Sequence, residues 1–134
     1  MSGVTDEDAR ARAGSPARAL LCVGEEETEY LRAGCGAVLV LLTGEYDGPA
    51  TLELIAVLSA AFVVIAPRVP RGIAISDWLV NLIDGLGFGR ISIVAETPFV
   101  AEVLRFAEDD EARVHRVAVL AARSETEEVL RFLE

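Results

Sequence analysis

The sequence contains no lysine, so all twelve basic residues are arginines, set against twenty-two aspartates and glutamates. The net charge is -10 and the isoelectric point is about 4.5. Such a surface repels phosphate backbones, because nucleic-acid binding depends on clusters of basic side chains. The composition therefore excludes nucleic acid as an expected partner.

Long hydrophobic runs are also missing. The longest nearly unbroken run, Leu54 to Ala66, has 13 residues and includes Ser59, whereas a membrane-spanning helix needs about 20. Met1 to Ala13 is charged and lacks the apolar centre of a signal peptide. We therefore expect a cytoplasmic protein without membrane insertion. Because the run is apolar on nearly every face, we expect the sheet or a second copy of the chain, in a homodimer, to cover it.

Side chains that build metal and catalytic sites are few. The chain has two cysteines, Cys22 and Cys35, and one histidine, His115. No cysteine or histidine pair has ligand spacing, and no Gly-x-Ser-x-Gly motif offers a nucleophilic serine. The sequence therefore predicts no metal, no cofactor and no enzymatic activity. We interpret the cysteines as small buried hydrophobic residues of a reduced protein, in preference to a redox pair.

What the sequence does contain is alternating strand and helix patterns within 134 residues, enough for one domain with a core. Residues 1–17 are polar and predict a flexible tail before a single domain at 18–134. The acidic stretch Glu25 to Glu29 predicts a solvated connection inside an antiparallel hairpin formed by the first two strands. Five strands are predicted, at Ala19–Val23, Ala37–Leu42, Phe62–Ala66, Ile91–Ala95 and Val114–Leu120.

Helices are expected after each strand that follows the hairpin. Their predicted starts are Asp47-Gly48-Pro49, Ser76, Thr97-Pro98 and the capping box Ser124 to Glu127. The glycine-rich segment Gly85 to Gly89 precedes a strand, so it indicates a helix end and turn, not a dinucleotide loop. The order predicts an α/β fold with a small, mostly parallel sheet of about five strands and about four helices.

The segment Val38 to Asp47, a strand followed by a Gly-Glu-Tyr-Asp turn, resembles the corresponding strand and turn of STAS domains. These modules occur in anti-sigma factor antagonists and at the cytosolic ends of sulfate transporters. The resemblance covers about Ala19 to Glu134 and includes Ile91 to Val94 before Pro98. It implies a non-catalytic regulatory module that binds a protein partner, such as an anti-sigma kinase or another regulator.

In the antagonists, a serine in the loop after the third strand is phosphorylated by the partner kinase, and Ser76 falls on that position. Ser76 is therefore either a phosphorylation switch or only a helix cap. Trp78 is either a partner anchor or a core residue. The predicted partner-binding residues are Glu45, Asp47, Arg68, Arg71, Ser76, Asp77 and Trp78. The alternative is a STAS-like domain that binds a small apolar or anionic ligand.

Overall fold

The structure is a computed structural model that describes residues 16–23, 26–70, 72 and 74–120. Most of the predicted tail lies outside the described residues, as do the predicted final helix, its capping box and Arg71.

Six strands form one sheet, in the order β1-β2-β4-β3-β5-β6. Strand β2 is antiparallel to both of its neighbours, β1 and β4, whereas β3, β4, β5 and β6 run parallel. The predicted α/β class is confirmed, but the sheet is mixed and has one strand more than expected. The strands are β1 (Ala17–Val23), β2 (Glu26–Ala33), β3 (Ala37–Leu42), β4 (Phe62–Pro67), β5 (Ile91–Glu96) and β6 (Val114–Leu120).

Three α-helices connect the parallel strands within the described residues: α1 (Pro49–Leu58), α2 (Ile75–Leu86) and α3 (Val100–Asp109). Helix α1 begins as predicted, with Gly48 as the N-cap residue and proline in the first turn. Helix α2 ends at Gly87, whose φ of 77° is left-handed, so the glycine-rich segment is a helix C-cap as predicted.

The core has two parts, one on each face of the sheet. Helix α1 packs with Leu39 and Leu41 of β3, whereas α2 and α3 pack with Val40 and Leu42. Strand β3 is an unbroken apolar run because helices cover both of its faces. The sheet covers part of the Leu54 to Ala66 run: Leu54, Ile55 and Leu58 of α1 turn inward, and the last part of the run is β4. Val57 stays 41% exposed, and the homodimer stays a prediction.

Residues Glu26 to Glu29 of the stretch predicted as a solvated connection are in fact the start of β2, and β1 pairs with β2 instead of β3. The physical reason is alternation along the strand. Thr28 and Tyr30 are buried, while Glu27 is exposed and Glu29 forms an ion pair with Arg18 at 3.0 Å. A strand can therefore carry this acidic run without burying an unpaired charge.

The prediction of buried cysteines is wrong, because Cys22 and Cys35 are both exposed and free. Cys22 lies on the edge strand β1, opposite Glu27 near the start of β2. Cys35 lies in the loop after the end of β2. The two thiols are therefore at opposite ends of β2.

Gly34 provides a test of the β2–β3 loop, because its φ is +88° and a β carbon there would overlap the carbonyl oxygen of Phe62. We expect Gly34→Ala to destabilise the protein by about 3 kcal/mol or more. Gly87→Ala is the matched control, since it has positive φ but open space around it, and should cost only about 1 kcal/mol. Urea unfolding measures both; equal losses would contradict the close packing at Gly34.

Candidate functional site

The carboxyl ends of β3, β4 and β5 form the edge where a site is expected. The chain passes from β3 through α1 on one face of the sheet, and from β4 and β5 through α2 and α3 on the other face. In open α/β sheets, a ligand-binding crevice opens where neighbouring strands send their connections to opposite faces. Strand β3 lies between β4 and β5, so the crevice is centred on its carboxyl end.

A short hydrogen bond joins the ends of β3 and β5 at this point. The backbone N–H of Gly44 donates to Glu96 Oε1 at 2.6 Å. The parallel register aligns Leu42 with Ala95, which brings the residues that follow them together. Glu96 is half-buried and Gly44 is exposed. One carboxylate oxygen is thus held by a backbone donor on a solvent-accessible edge, an arrangement suited to a nucleophile or a base.

Hydrogen bonds from Thr51 and Gly48 hold the loop between β3 and α1 in place. Thr51 Oγ1 donates to the carbonyl oxygen of Glu45 at 2.7 Å and lies 3.1 Å from Thr43 Oγ1. Both threonines are buried, and the N–H of Gly48 also donates to the Glu45 carbonyl, at 3.0 Å. These bonds hold the chain on either side of Gly44, so the direction of its N–H is set by the loop.

A cavity of about 720 Å³ opens beside Gly44, between the start of β2, the β3–α1 loop and the segment after β4. Its wall is mostly polar and includes the buried threonines Thr28 and Thr43. The lining residues are Glu27, Thr28, Glu29, Thr43, Gly44, Glu45, Tyr46, Asp47, Arg68, Val69 and Pro70.

Arg18 of the edge strand β1 contacts three of the residues that line the cavity. Its guanidinium lies 3.0 Å from the Glu29 carboxylate and 3.6 Å from that of Asp47, and it donates to Tyr46 Oη at 3.3 Å. The pairs are solvent-exposed, so each contributes at most about 1 kcal/mol. Their main effect is to orient Tyr46 and Asp47 at the cavity.

The structure divides the predicted site residues into two groups. Glu45, Asp47 and Arg68 line the cavity. The other described residues, Ser76, Asp77 and Trp78, lie in the first turn of α2 and do not line it.

Ser76 is not the N-cap of α2. The helix begins at Ile75 and its N-cap residue is Ala74, without a side-chain capping hydrogen bond. Ser76 is instead half-buried within the first turn. No observation tests its phosphorylation, which stays a prediction from the sequence.

Trp78 is a core residue, as the second interpretation of the sequence held. It is 2% exposed and packs in the cluster under α2 and α3 with Tyr30. Its Nε1 is buried and has no hydrogen-bond partner among the described residues. An anchor for a partner must reach the surface, and this ring does not.

Sequence reasoning missed Glu96 and Gly44 as a pair. The available signal was an acidic residue directly after the apolar run Ile91 to Ala95, at the position where a parallel strand delivers its side chains to a crevice.

His115 is exposed near the start of β6, at the opposite end of the sheet. Within the described residues, no group of three or more potential ligand side chains could hold a metal ion. None of the described helices is long and apolar enough to cross a membrane.

No protein-family model matches the chain, and no curated protein matches it in sequence. Solved structures do resemble it. Carboxylesterase CesB from Bacillus subtilis is 16% identical, with a TM-score of 0.70 over 86% of this chain and 46% of the esterase. Epoxide hydrolase CorEH is 19% identical, with a TM-score of 0.66 over 78% and 41%. Naproxen esterase from Bacillus subtilis is 16% identical, with a TM-score of 0.66 over 87% and 49%.

These likenesses correct the predicted family and function. The chain has an α/β-hydrolase-like fold and spans less than half the length of each of these hydrolases. The resemblance to STAS domains is wrong, and so is the non-catalytic, anti-sigma antagonist role inferred from it. The physical reason is that β-α alternation is common to both folds. The order of strands across the sheet differs between folds, and the order of elements along the chain does not reveal it.

The burial of Trp78 predicts a large stability loss on truncation. We expect Trp78→Ala to lose about 3 to 5 kcal/mol, and Trp78→Phe about 1 to 2 kcal/mol, because the Nε1 that Phe lacks has no described partner. Ser76→Ala should change stability by less than about 0.5 kcal/mol, since this serine caps nothing. Urea unfolding measures all three; a Trp78→Ala variant as stable as wild type would contradict the core assignment.

Proposed function

We propose that this chain forms part of a hydrolase site in which the Glu96 carboxylate is the nucleophile and the Gly44 N–H is an oxyanion donor. The observation that carries the proposal is the 2.6 Å hydrogen bond between them at the crevice. Support also comes from the likeness to hydrolase folds, among them an epoxide hydrolase.

Glu96 is favoured over the neighbouring hydroxyl of Thr97. In α/β-hydrolase folds, the oxyanion hole combines an N–H from the loop after the third strand with the N–H of the residue after the nucleophile. Gly44 follows β3 and supplies the first donor. After Glu96, the next residue is Thr97, which has an N–H; after Thr97, it is Pro98, which has none. Only Glu96 leaves the second donor in place.

A carboxylate nucleophile favours an epoxide over an ester as the electrophile. Attack on an ester carbonyl would have to expel an alkoxide and form an anhydride, which is far more reactive than the starting ester. Attack on an epoxide carbon relieves ring strain and gives an ordinary ester of Glu96. The chemistry of the residue therefore indicates opening of a strained, electrophilic ring.

The reaction has two steps. In the first, a Glu96 oxygen bonds to an epoxide carbon, the ring C–O bond breaks, and the ring oxygen takes a proton from solvent. In the second, water adds to the Glu96 carboxyl carbon, and negative charge develops on the oxygen held by the Gly44 N–H. Cleavage of the ester bond then releases a diol and a proton and restores the carboxylate.

Labelled water tests this proposal directly. In a single turnover of styrene oxide in water containing heavy oxygen, we expect the label in the Glu96 side chain, detected by mass spectrometry of its peptide. Glu96→Gln should lower turnover roughly 10³-fold or more. Glu108→Gln, an exposed change on α3, is the control and should turn over like wild type.

Two results would contradict the nucleophile assignment. One is full activity in Glu96→Gln. The other is heavy oxygen in the diol alone after a single turnover, which would make Glu96 a base that activates water.

A further inference from the structure

Both outer strands of the sheet carry an apolar side chain on the face that α1 occupies. On β1, Ala19 and Leu21 pack with the core under α2 and α3, so Leu20 between them points to the α1 face. On β6, Val117 packs with that same core, so the next residue, Ala118, points to the α1 face. Leu20 and Ala118 therefore occupy equivalent positions at the two edges of the sheet.

The burial of these two side chains is very different. Leu20 is 62% exposed, which shows that the α1 face is open at β1, whereas Ala118 is 7% exposed. Val94, which pairs with Ala118 from β5, is fully buried on the same face. These exposures belong to a single copy of the chain. The atoms that cover Ala118 are therefore its own.

The three described helices do not account for this cover. Helix α1 packs against β4 and the adjoining Leu39 and Leu41 of β3. Strands lie about 4.8 Å apart, so Ala118 is roughly 14 Å across the sheet from β4, beyond the width of one helix. Helix α3 packs closely on β6, but through Val114 and Val117 on the opposite face. A further element must lie over β5 and β6.

The segment that follows β6 has the position and the length to be this element. Strand β6 ends at Leu120, which pairs with Glu96, and residues 121–134 continue from there. The sequence predicts a helix from the capping box at Ser124 to Leu133. Ten residues of helix span about 15 Å, close to the roughly 20 Å of the six-residue strand β5.

The predicted helix is also amphipathic. At helical spacing, Val129, Leu130 and Leu133 share one face, and Glu127 and Arg131 share the other. We propose that residues 121–134 form a helix that packs along β5 and β6 beside α1, with this apolar face against the sheet. The buried surface of the two strands and the apolar face of the segment then cover each other.

This packing would also complete the crevice. Glu96 alternates with Val94 along β5, so its side chain lies on the α1 face. Helix α1 would form one wall beside Glu96 and the 121–134 segment the other. The inference goes beyond the proposed function and does not depend on it, because the segment covers the sheet whether or not Glu96 is a nucleophile.

Thiol labelling of the full chain tests the packing, in a background of Cys22→Ser and Cys35→Ser. We expect Ala118→Cys to react at least about tenfold more slowly than Val119→Cys, whose position is 45% exposed. Leu130→Gln with Leu133→Gln should undock the segment and speed labelling of Ala118→Cys about tenfold or more. Unchanged labelling would overturn the proposal.

Two controls show whether the effect is local. Glu127→Gln with Glu128→Gln changes the polar face and should leave labelling of Ala118→Cys within about twofold. Ala66→Cys, fully buried on the same face of the sheet but on β4, should stay protected in every variant. Equal acceleration at Ala66→Cys and Ala118→Cys would mean that the two leucines support the whole fold, and would overturn the proposal.

Two further measurements identify what covers the face. Protection of Ala118→Cys should not change on dilution; protection lost on dilution would assign the cover to a second copy and overturn the proposal. In the unsubstituted protein, amide hydrogen exchange in residues 124–133 should be slowed about tenfold or more, because so short a helix is marginal unless it is packed. Exchange at the rate of an unfolded peptide would also overturn it.

Discussion

The pairing of β3 on both edges is the constraint from which the site follows. The strand is hydrogen-bonded to β4 on one side and β5 on the other, and Leu39 to Leu42 are fully buried. Right-handed connections that move in opposite directions across a sheet place their helices on opposite faces. Helix α1 therefore leaves on one side and α2 and α3 on the other, so the crevice between them opens at the carboxyl end of β3.

The same constraint explains why a backbone donor meets a carboxylate there. Gly44 and Glu96 are 52 residues apart, and neither segment has local features that bring them together. Parallel register alone aligns the ends of β3 and β5. The loop bonds from Thr51 then fix the chain around Gly44, so the site is built from strand geometry and one rigid turn.

Local patterns predicted much of the fold and little of the site. The strand at 114–120 and the starts of β4 and α1 follow from β-branched runs, Pro49 and flanking breakers, which act over a few residues. Strand β2 was not predicted because its buried Thr28 and Tyr30 alternate with Glu27, which is exposed, and Glu29, whose ion-pair partner is the distant Arg18. The role of Glu96 was not predicted because its hydrogen bond to Gly44 depends on β3 and β5 being neighbours in the sheet. That choice is made by tertiary packing, which a single sequence does not display.

The position of β2 also has a consequence during synthesis. Its first edge can pair with β1 at once, but its second edge pairs with Phe62–Pro67, which follows β3 and α1 in the chain. Until β4 has emerged from the ribosome, the β1–β2 hairpin presents an open edge to other nascent chains. Charged side chains on an edge strand oppose such pairing. The part of β2 that waits for β4 is Tyr30–Ala33, and the charge of Arg32 within it opposes pairing with another chain until β4 arrives.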